Sequence, residues 1–340
     1  MRTVLLEGRG KVFIRDVSTP SPEPGDLLVE MRACGLCGSD LEKIQGVYTA
    51  APPILGHEAV GVIAEVGQGA EGFEVGDRVF PHHHVPCYEC VYCRRGSQTM
   101  CPEYRRWHLD PGGFSECFRV PRWNVSHGGV LILPETMSFQ EGSFIEPLAC
   151  CIRALDRLGV PEGSDVLIVG AGPMGLLLLQ LLGHWGAGQV MVSEVSPYRL
   201  EAATRLGAQA AVNPLEVDVT QEVRRLTDRR GADLAIVASG SPKALSQAIH
   251  SVRRGGKVGL VGIPDEGSSL SGVSDLVTRE ISLISSNAAT EMETRRALEL
   301  ISEGVVDVQS MVTHRVHLKE FPKAIELARK AESIKVVVVP

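Results

Sequence analysis

Four cysteines lie within the stretch CYECVYCRRGSQTMC, at Cys87, Cys90, Cys93 and Cys101, spaced C-x2-C-x2-C-x7-C. Thiolates three residues apart in a tight loop turn inward on one centre. A fourth from a returning segment closes a tetrahedron, as zinc requires at about 2.3 Å per Zn–S bond. Arg94 and Arg95 stand beside the cluster and offset the negative charge of a four-thiolate zinc site. An iron–sulfur cluster also takes four cysteines, but one compact lobe in an otherwise enzyme-like chain fits zinc better. With every ligand drawn from protein, such a metal has no open position: it staples the lobe at 87–101 and performs no reaction.

A second set of donors is dispersed. Cys37 lies in CGLCGSD, His57 and Glu58 in ILGHEAVGVIAEVG, and Glu146 in FIEPLACC. Cysteine, histidine and a carboxylate, with water or substrate completing the shell, form a catalytic-zinc ligand set. Twenty residues separate Cys37 from His57, so spacing alone leaves a satisfied structural His57 as the alternative. The run His82-His83-His84 precedes the cysteine lobe without an evident fourth ligand and reads as a polar loop. Cys150 and Cys151 read as small buried residues, and Trp107 and Trp123 as core residues or pocket walls.

The third constellation is Gly170-Ala171-Gly172-Pro173-Met174-Gly175, a G-x-G-x-x-G that follows the strand-like run DVLIVG and opens a helix-like one. That context identifies a dinucleotide site where the glycines alone would not. The first glycine makes the tight turn, the second admits a pyrophosphate, and the third lets helix pack against strand. Glu194 ends the next strand, nineteen residues after Gly175. A carboxylate there accepts from a ribose 2′-hydroxyl and repels a 2′-phosphate, so NAD is expected over NADP. Arg199, close by in sequence, either covers the adenine or meets a phosphate.

These residues need elements to hold them. Residues 1–147 read as β-rich: TVLLEG, KVFIRDV, DLLVEMRA, EAVGVIAEVG, DRVFPHH and FSECFRVP are short strand-like runs between Gly, Pro and Asp clusters. From residue 148 the pattern alternates strand and helix to about 287, the signature of a doubly wound parallel α/β sheet. Within it PKALSQAIHSVRR reads as a helix, and ISLISS as a late strand. The final run, IKVVVVP, has no sheet of its own nearby and is expected to return to the first domain. The domains are therefore expected at 1–147 with 288–340, and at 148–287.

The totals exclude several classes. A net charge of −7 over 340 residues offers no basic stripe for nucleic acid and no attraction to an anionic membrane. The longest apolar stretch, 165–188, is broken by glycines and Pro173, so a membrane span is not expected. The N-terminal residues do not form a signal peptide, which makes the protein cytoplasmic by expectation. Nine cysteines, an odd number, then disfavour a disulfide framework.

Taken jointly and in order, CGSD, GHEAVGVIAEVG, GDRV, the cysteine lobe, EPL and VGAGPMG resemble the zinc-dependent medium-chain dehydrogenase/reductase family, nearest its sorbitol (polyol) and threonine dehydrogenase branch. The resemblance runs the length of the chain. It implies a GroES-like catalytic domain and a Rossmann domain, with one catalytic and one structural zinc per subunit. Cys37, His57, Glu58 and Glu146 would serve the catalytic zinc, with Asp40 orienting His57 and Ser39 passing a proton onward. The implied reaction is hydride transfer from a secondary alcohol (a polyol, sugar or cyclitol) to NAD. A threonine or simple-alcohol dehydrogenase, working with NADP in one variant, is the alternative within the family; a non-catalytic dinucleotide sensor is the alternative outside it. The resemblance also implies a homo-oligomer, tetramer or dimer, with ISLISS as an edge strand. One departure stands out: where many relatives carry a relay histidine, this sequence has Glu42 followed by Lys43. Arg153 likewise stands where close relatives often have a histidine. Each of these charges contacts substrate or cofactor, or is merely solvated.

Overall fold

The computed structural model describes residues 1–46, 54–263 and 273–340. It divides into two compact units, residues 1–149 with 289–340 and residues 150–288. The boundary falls inside the helix Ile145–Leu158.

The first unit is built on a seven-stranded sheet. Its order is Val312–His317, Lys335–Val339, Leu27–Gly35, Glu58–Val66, Arg78–Pro81 and Val130–Ile132, with Cys117–Val120 also pairing Leu27–Gly35. Leu27–Gly35 and Glu58–Val66 run antiparallel over nine residues each, and two register shifts between them bend the pair. Val, Leu, Ile and Met from these strands, with Phe114, Phe118 and Phe321, form one buried core. The C-terminal strand Lys335–Val339 inserts beside Leu27–Gly35, pairing Val337 with Gly35 and Val338 with Cys34. A separate hairpin joins Arg2–Leu6 to Val12–Asp16.

The second unit is a six-stranded sheet, parallel throughout. Its spatial order is Ala210–Val212, Val190–Ser193, Val166–Val169, Ala232–Val237, Val252–Leu260 and Ser282–Ser285. Numbered along the chain this is 3-2-1-4-5-6, the doubly wound order whose ligand crevice opens beyond the carboxyl end of the first strand. The strands VLIV and VMVS are buried at every position, as strands covered on both faces must be. The helix Pro173–His184 carries six buried leucines and is apolar nearly all round, which fits a position between layers.

One stretch departs from the sequence reading. The helix read through Arg254 stops at Ser251, and Val252–Leu260 is a strand. Val252 pairs with Ala232, a register shift follows, and the Gly255 amide donates to the Arg279 carbonyl. Sheet pairing therefore overrides the helical pattern there. Ser282–Ser285 is an edge strand with Leu283 partly exposed. Among the described residues, no helix is long and apolar enough to cross a membrane.

Candidate active site

Cys37 caps the helix Gly38–Gln45 at the exit of the Leu27–Gly35 strand, and His57 immediately precedes the Glu58–Val66 strand. Because these strands pair Gly35 with Glu58, residues far apart in sequence converge. Donor atoms of Cys37, His57 and Glu58 all lie within 4.8 Å of one another. Glu146, buried in the first turn of its helix, lies outside that set, yet its charge raises the pKa of Glu58.

Asp40 is wholly buried and organises this group. Its carboxylate accepts from the amides of Cys37 at 3.2 Å and Gly56 at 3.1 Å, and Oδ1 lies 3.5 Å from Nδ1 of His57. Burial works to raise its pKa, but His57, Lys43 and the Gly56 amide outweigh that and hold it below the usual carboxylate range. Burial likewise pulls His57 down, while Asp40 and Cys37 raise it well above an ordinary imidazole. A carboxylate against Nδ1 favours the tautomer protonated there and leaves the Nε2 lone pair on the Cys37 side, the arrangement metal-binding histidines use. Ser39 sits half-buried on the first turn beside them.

In the cysteine lobe, the Sγ atoms of Cys90 and Cys93 are 3.6 Å apart and those of Cys87 and Cys101 3.5 Å. A tetrahedron of Zn–S bonds has edges of about 3.8 Å, so the four sulfurs fit a zinc ion with little movement. The amides of Cys90 and Cys87 point at the sulfurs of Cys87 and Cys101, each at 3.4 Å. None of the nine cysteines forms a disulfide.

In the second unit, Gly170 follows Val169 with φ +106°, and a Cβ on Gly175 would stand 1.9 Å from the Gly170 carbonyl oxygen. A Cβ on Gly172 would meet nothing within 4 Å. Open space therefore faces the amino end of the helix that Pro173 and Met174 begin, and it suits an anionic phosphate. Glu194 closes the loop from the next strand: its carboxylate accepts from the amides of Ala171 at 2.8 Å, Val195 at 2.8 Å and Ser196 at 3.0 Å. Arg199 lies in the first turn of Pro197–Arg205, which Ser196 caps.

Residues 23–129 match the alcohol dehydrogenase GroES-like domain family, and residues 173–303 the zinc-binding dehydrogenase family. Sorbitol dehydrogenase of Bacillus subtilis (strain 168) is 33% identical over 351 residues, spanning 100% of this chain and 97% of the relative. L-threonine 3-dehydrogenase of Pyrococcus abyssi is 35% identical over 332 residues, spanning 95% and 93%. This chain is a zinc-dependent medium-chain dehydrogenase of the polyol/threonine branch. A zinc-binding dehydrogenase from Sinorhizobium meliloti 1021, solved bound to NADP, superposes on the dehydrogenase with a TM-score of 0.91 and 32% identity, covering 100% of this chain and 99% of that one. The fold is therefore a GroES-like domain joined to a Rossmann-type sheet.

Two features of the dehydrogenase escaped sequence reasoning. Lys335, opening the C-terminal strand, forms a fully buried ion pair with Glu58; a lone lysine before an unbroken valine run was its only signal. The three-histidine loop also reaches the donor set, with the His83 ring centroid 5.1 Å from that of His57. His84 packs on His83 at 3.8 Å and on His108 at 5.1 Å. Of the departures noted in the sequence, Lys43 donates to the Ile54 carbonyl at 3.0 Å, and Arg153 is buried. Trp107 and Trp123 stack on each other at 5.8 Å.

Proposed function

We propose that the dehydrogenase oxidises a secondary alcohol carrying further hydroxyl groups, such as a polyol, sugar or cyclitol, with NAD as the preferred acceptor. The observation that carries the substrate class is the histidine wall beside His57. Nδ1 of His83 and Nε2 of His108 are buried without hydrogen-bond partners among the described residues. Buried polar atoms left unpaired are costly, and hydroxyls of a polyhydroxylated ligand would satisfy them. A simple aliphatic alcohol would leave them unmet. Preference for NAD rests on Glu194, whose anionic carboxylate beside the glycine loop disfavours a 2′-phosphate.

Cys37 and His57, with Glu58 or Glu146, are the residues to hold a catalytic zinc; Cys87, Cys90, Cys93 and Cys101 are those for a structural one. Zinc bound at the first set would act as a Lewis acid on an alcohol oxygen. The chain's own contribution is positional and protonic. Asp40 holds His57 in one tautomer. Ser39, able both to donate and to accept, takes the hydroxyl proton and hands it toward solvent. Gly170, Gly172 and Gly175 admit the dinucleotide, Glu194 binds its ribose, and the cofactor carries the hydride chemistry. Oxidation of L-threonine is the second reading, favoured by a relative with that activity matching over nearly the same span.

The test is nicotinamide reduction by zinc-loaded protein on polyols, inositols, aldoses, L-threonine and simple secondary alcohols, with NAD and NADP in parallel. Turnover confined to polyhydroxy compounds with NAD is expected, and Cys37→Ser is expected to abolish it while the lobe keeps its zinc. Turnover on threonine alone would replace the substrate class. Silence on every compound despite bound zinc and NAD would favour a non-catalytic sensor.

A further inference from the structure

The dinucleotide-binding unit carries a second concavity, at the opposite end of its sheet from the glycine loop. Gly170 lies beyond the carboxyl end of its strand, whereas this concavity surrounds the amino ends of Ala232–Val237 and Val252–Leu260. The first of these strands alone puts about 17 Å between the two ends. The concavity has a volume of about 1050 Å³, and seven arginines line it with no lysine among them. In a chain of net charge −7, that is a marked local reversal of sign.

The arginines fall into two groups. Four are fixed by partners. Arg279 donates to the Ile249 carbonyl and to Asp275, Arg253 to Asp233 at 2.5 Å, Arg230 to Asp165 at 3.1 Å and Arg225 to Glu222 at 2.7 Å. The other three, Arg224, Arg229 and Arg254, are exposed, and no carboxylate among the described residues lies within ion-pair distance of them. Arg229 follows Asp228 in a left-handed pair with φ +62° and +48°. Two successive non-glycine residues rarely adopt that conformation.

We propose that this concavity binds a small, multiply phosphorylated anion, independently of the dinucleotide. Three arginines without counter-charges among the described residues line the same concavity as four paired ones and leave it with an excess of positive charge. Guanidinium groups engage phosphate oxygens in bidentate fashion, which explains the choice of arginine throughout. The volume matches a small-molecule site. A long polyanion such as nucleic acid would feel the repulsion of the whole acidic molecule. A compact one senses only charges within a Debye length of about 8 Å.

The experiment titrates sodium tripolyphosphate into the zinc-loaded protein saturated with NADH, by calorimetry, for the wild type and for the triple variant Arg224→Ala/Arg229→Ala/Arg254→Ala. The three side chains are exposed and unpaired, so the variant is expected to fold, bind NADH and retain zinc as the wild type does. Any effect of tripolyphosphate on the metal is then common to both proteins. Saturable one-to-one binding is expected in the wild type, weakening with salt, and about a hundredfold weaker or more in the variant if each lost charged contact contributes its usual share. Binding equal in the two proteins, or absent from the NADH-saturated wild type, would overturn the proposal. Equal affinity for citrate would overturn the assignment to phosphate.

Discussion

Lys335 and Glu58 form an ion pair with side chains only 2% and 0% exposed, joining the last strand of the chain to the strand that follows His57. The pair exists because Lys335–Val339 and Glu58–Val66 flank Leu27–Gly35 on either side, and because residue 35 is glycine. A Cβ there would stand 1.9 Å from Glu58 Oε2 and 2.7 Å from Lys335 Cε. Burial raises the pKa of Glu58, and Lys335 and His57 pull it back. The ammonium also lies within electrostatic reach of Cys37 and Glu146, so it offsets the negative charge that the donor set concentrates in one dry place.

Removing one partner of a buried pair strands the other charge, at a cost of about 3–5 kcal/mol. Lys335→Met is therefore expected to lower folding stability by that order, read as a shift in the urea midpoint at unchanged slope. Lys335→Arg, which keeps the charge, is expected to recover most of the loss. Equal stability of Lys335→Met and wild type would mean that Glu58 is neutral in the folded protein.

The sequence made the local chemistry legible and concealed the long-range part. Cys87, Cys90, Cys93 and Cys101 are close in the chain, and Gly170, Gly172 and Gly175 closer still; their geometry follows from spacing and one turn. Ser196 and Pro197 likewise marked a helix start that the structure has at Pro197. The Lys335–Glu58 pair was illegible because it depends on strand order, which a local pattern does not encode. The histidine run reads as a mere polar loop for the same reason: its neighbour His57 arrives on another strand. Arg253 and Arg254 continue a helical pattern in sequence because periodicity cannot register a sheet partner, and there Val252 finds Ala232.

The cysteine lobe holds its protons unequally. Amide donation from Cys93 lowers Cys90 to about 7, whereas burial and neighbouring thiols push Cys93 up to about 12. Metal loading of the apoprotein is therefore expected to release protons at neutral pH, measurable with an indicator in weak buffer. Cys93→Ser is expected to lose one zinc per chain by elemental analysis and to melt several degrees lower. Retention of full zinc content would remove Cys93 from the ligand set.

Burial first, and neighbouring imidazoles after it, hold His83 and His84 well below the usual imidazole pKa, so both are neutral in the native state. In the unfolded chain each takes a proton below about pH 6.5. Unfolding then takes up protons, and the stability these residues contribute is complete above that pH and lost as the pH falls toward their native values. Denaturation midpoints compared at about pH 5 and about pH 8 are expected to show a shallower acid loss in His83→Gln/His84→Gln than in the wild type. Parallel pH profiles would mean that the native pocket admits the charged ring.

One substitution separates the structural role of Glu194 from the cofactor preference proposed for it. Its carboxylate fixes the glycine loop through the Ala171 amide and the following turn through those of Val195 and Ser196, and under the proposed function its charge disfavours a 2′-phosphate. In Glu194→Gln one oxygen still accepts, but the new amide group opposes at least one of those N–H donors, at a cost of about 1–3 kcal/mol. A lower melting temperature is thus expected whatever the cofactor. If the charge sets the preference, KM for NAD is expected to rise about tenfold, the equivalent of ~1.4 kcal/mol, and KM for NADP to fall. A melting shift without any change in the ratio of the two KM values would confine Glu194 to holding the loop and move cofactor choice to Arg199 and its neighbours.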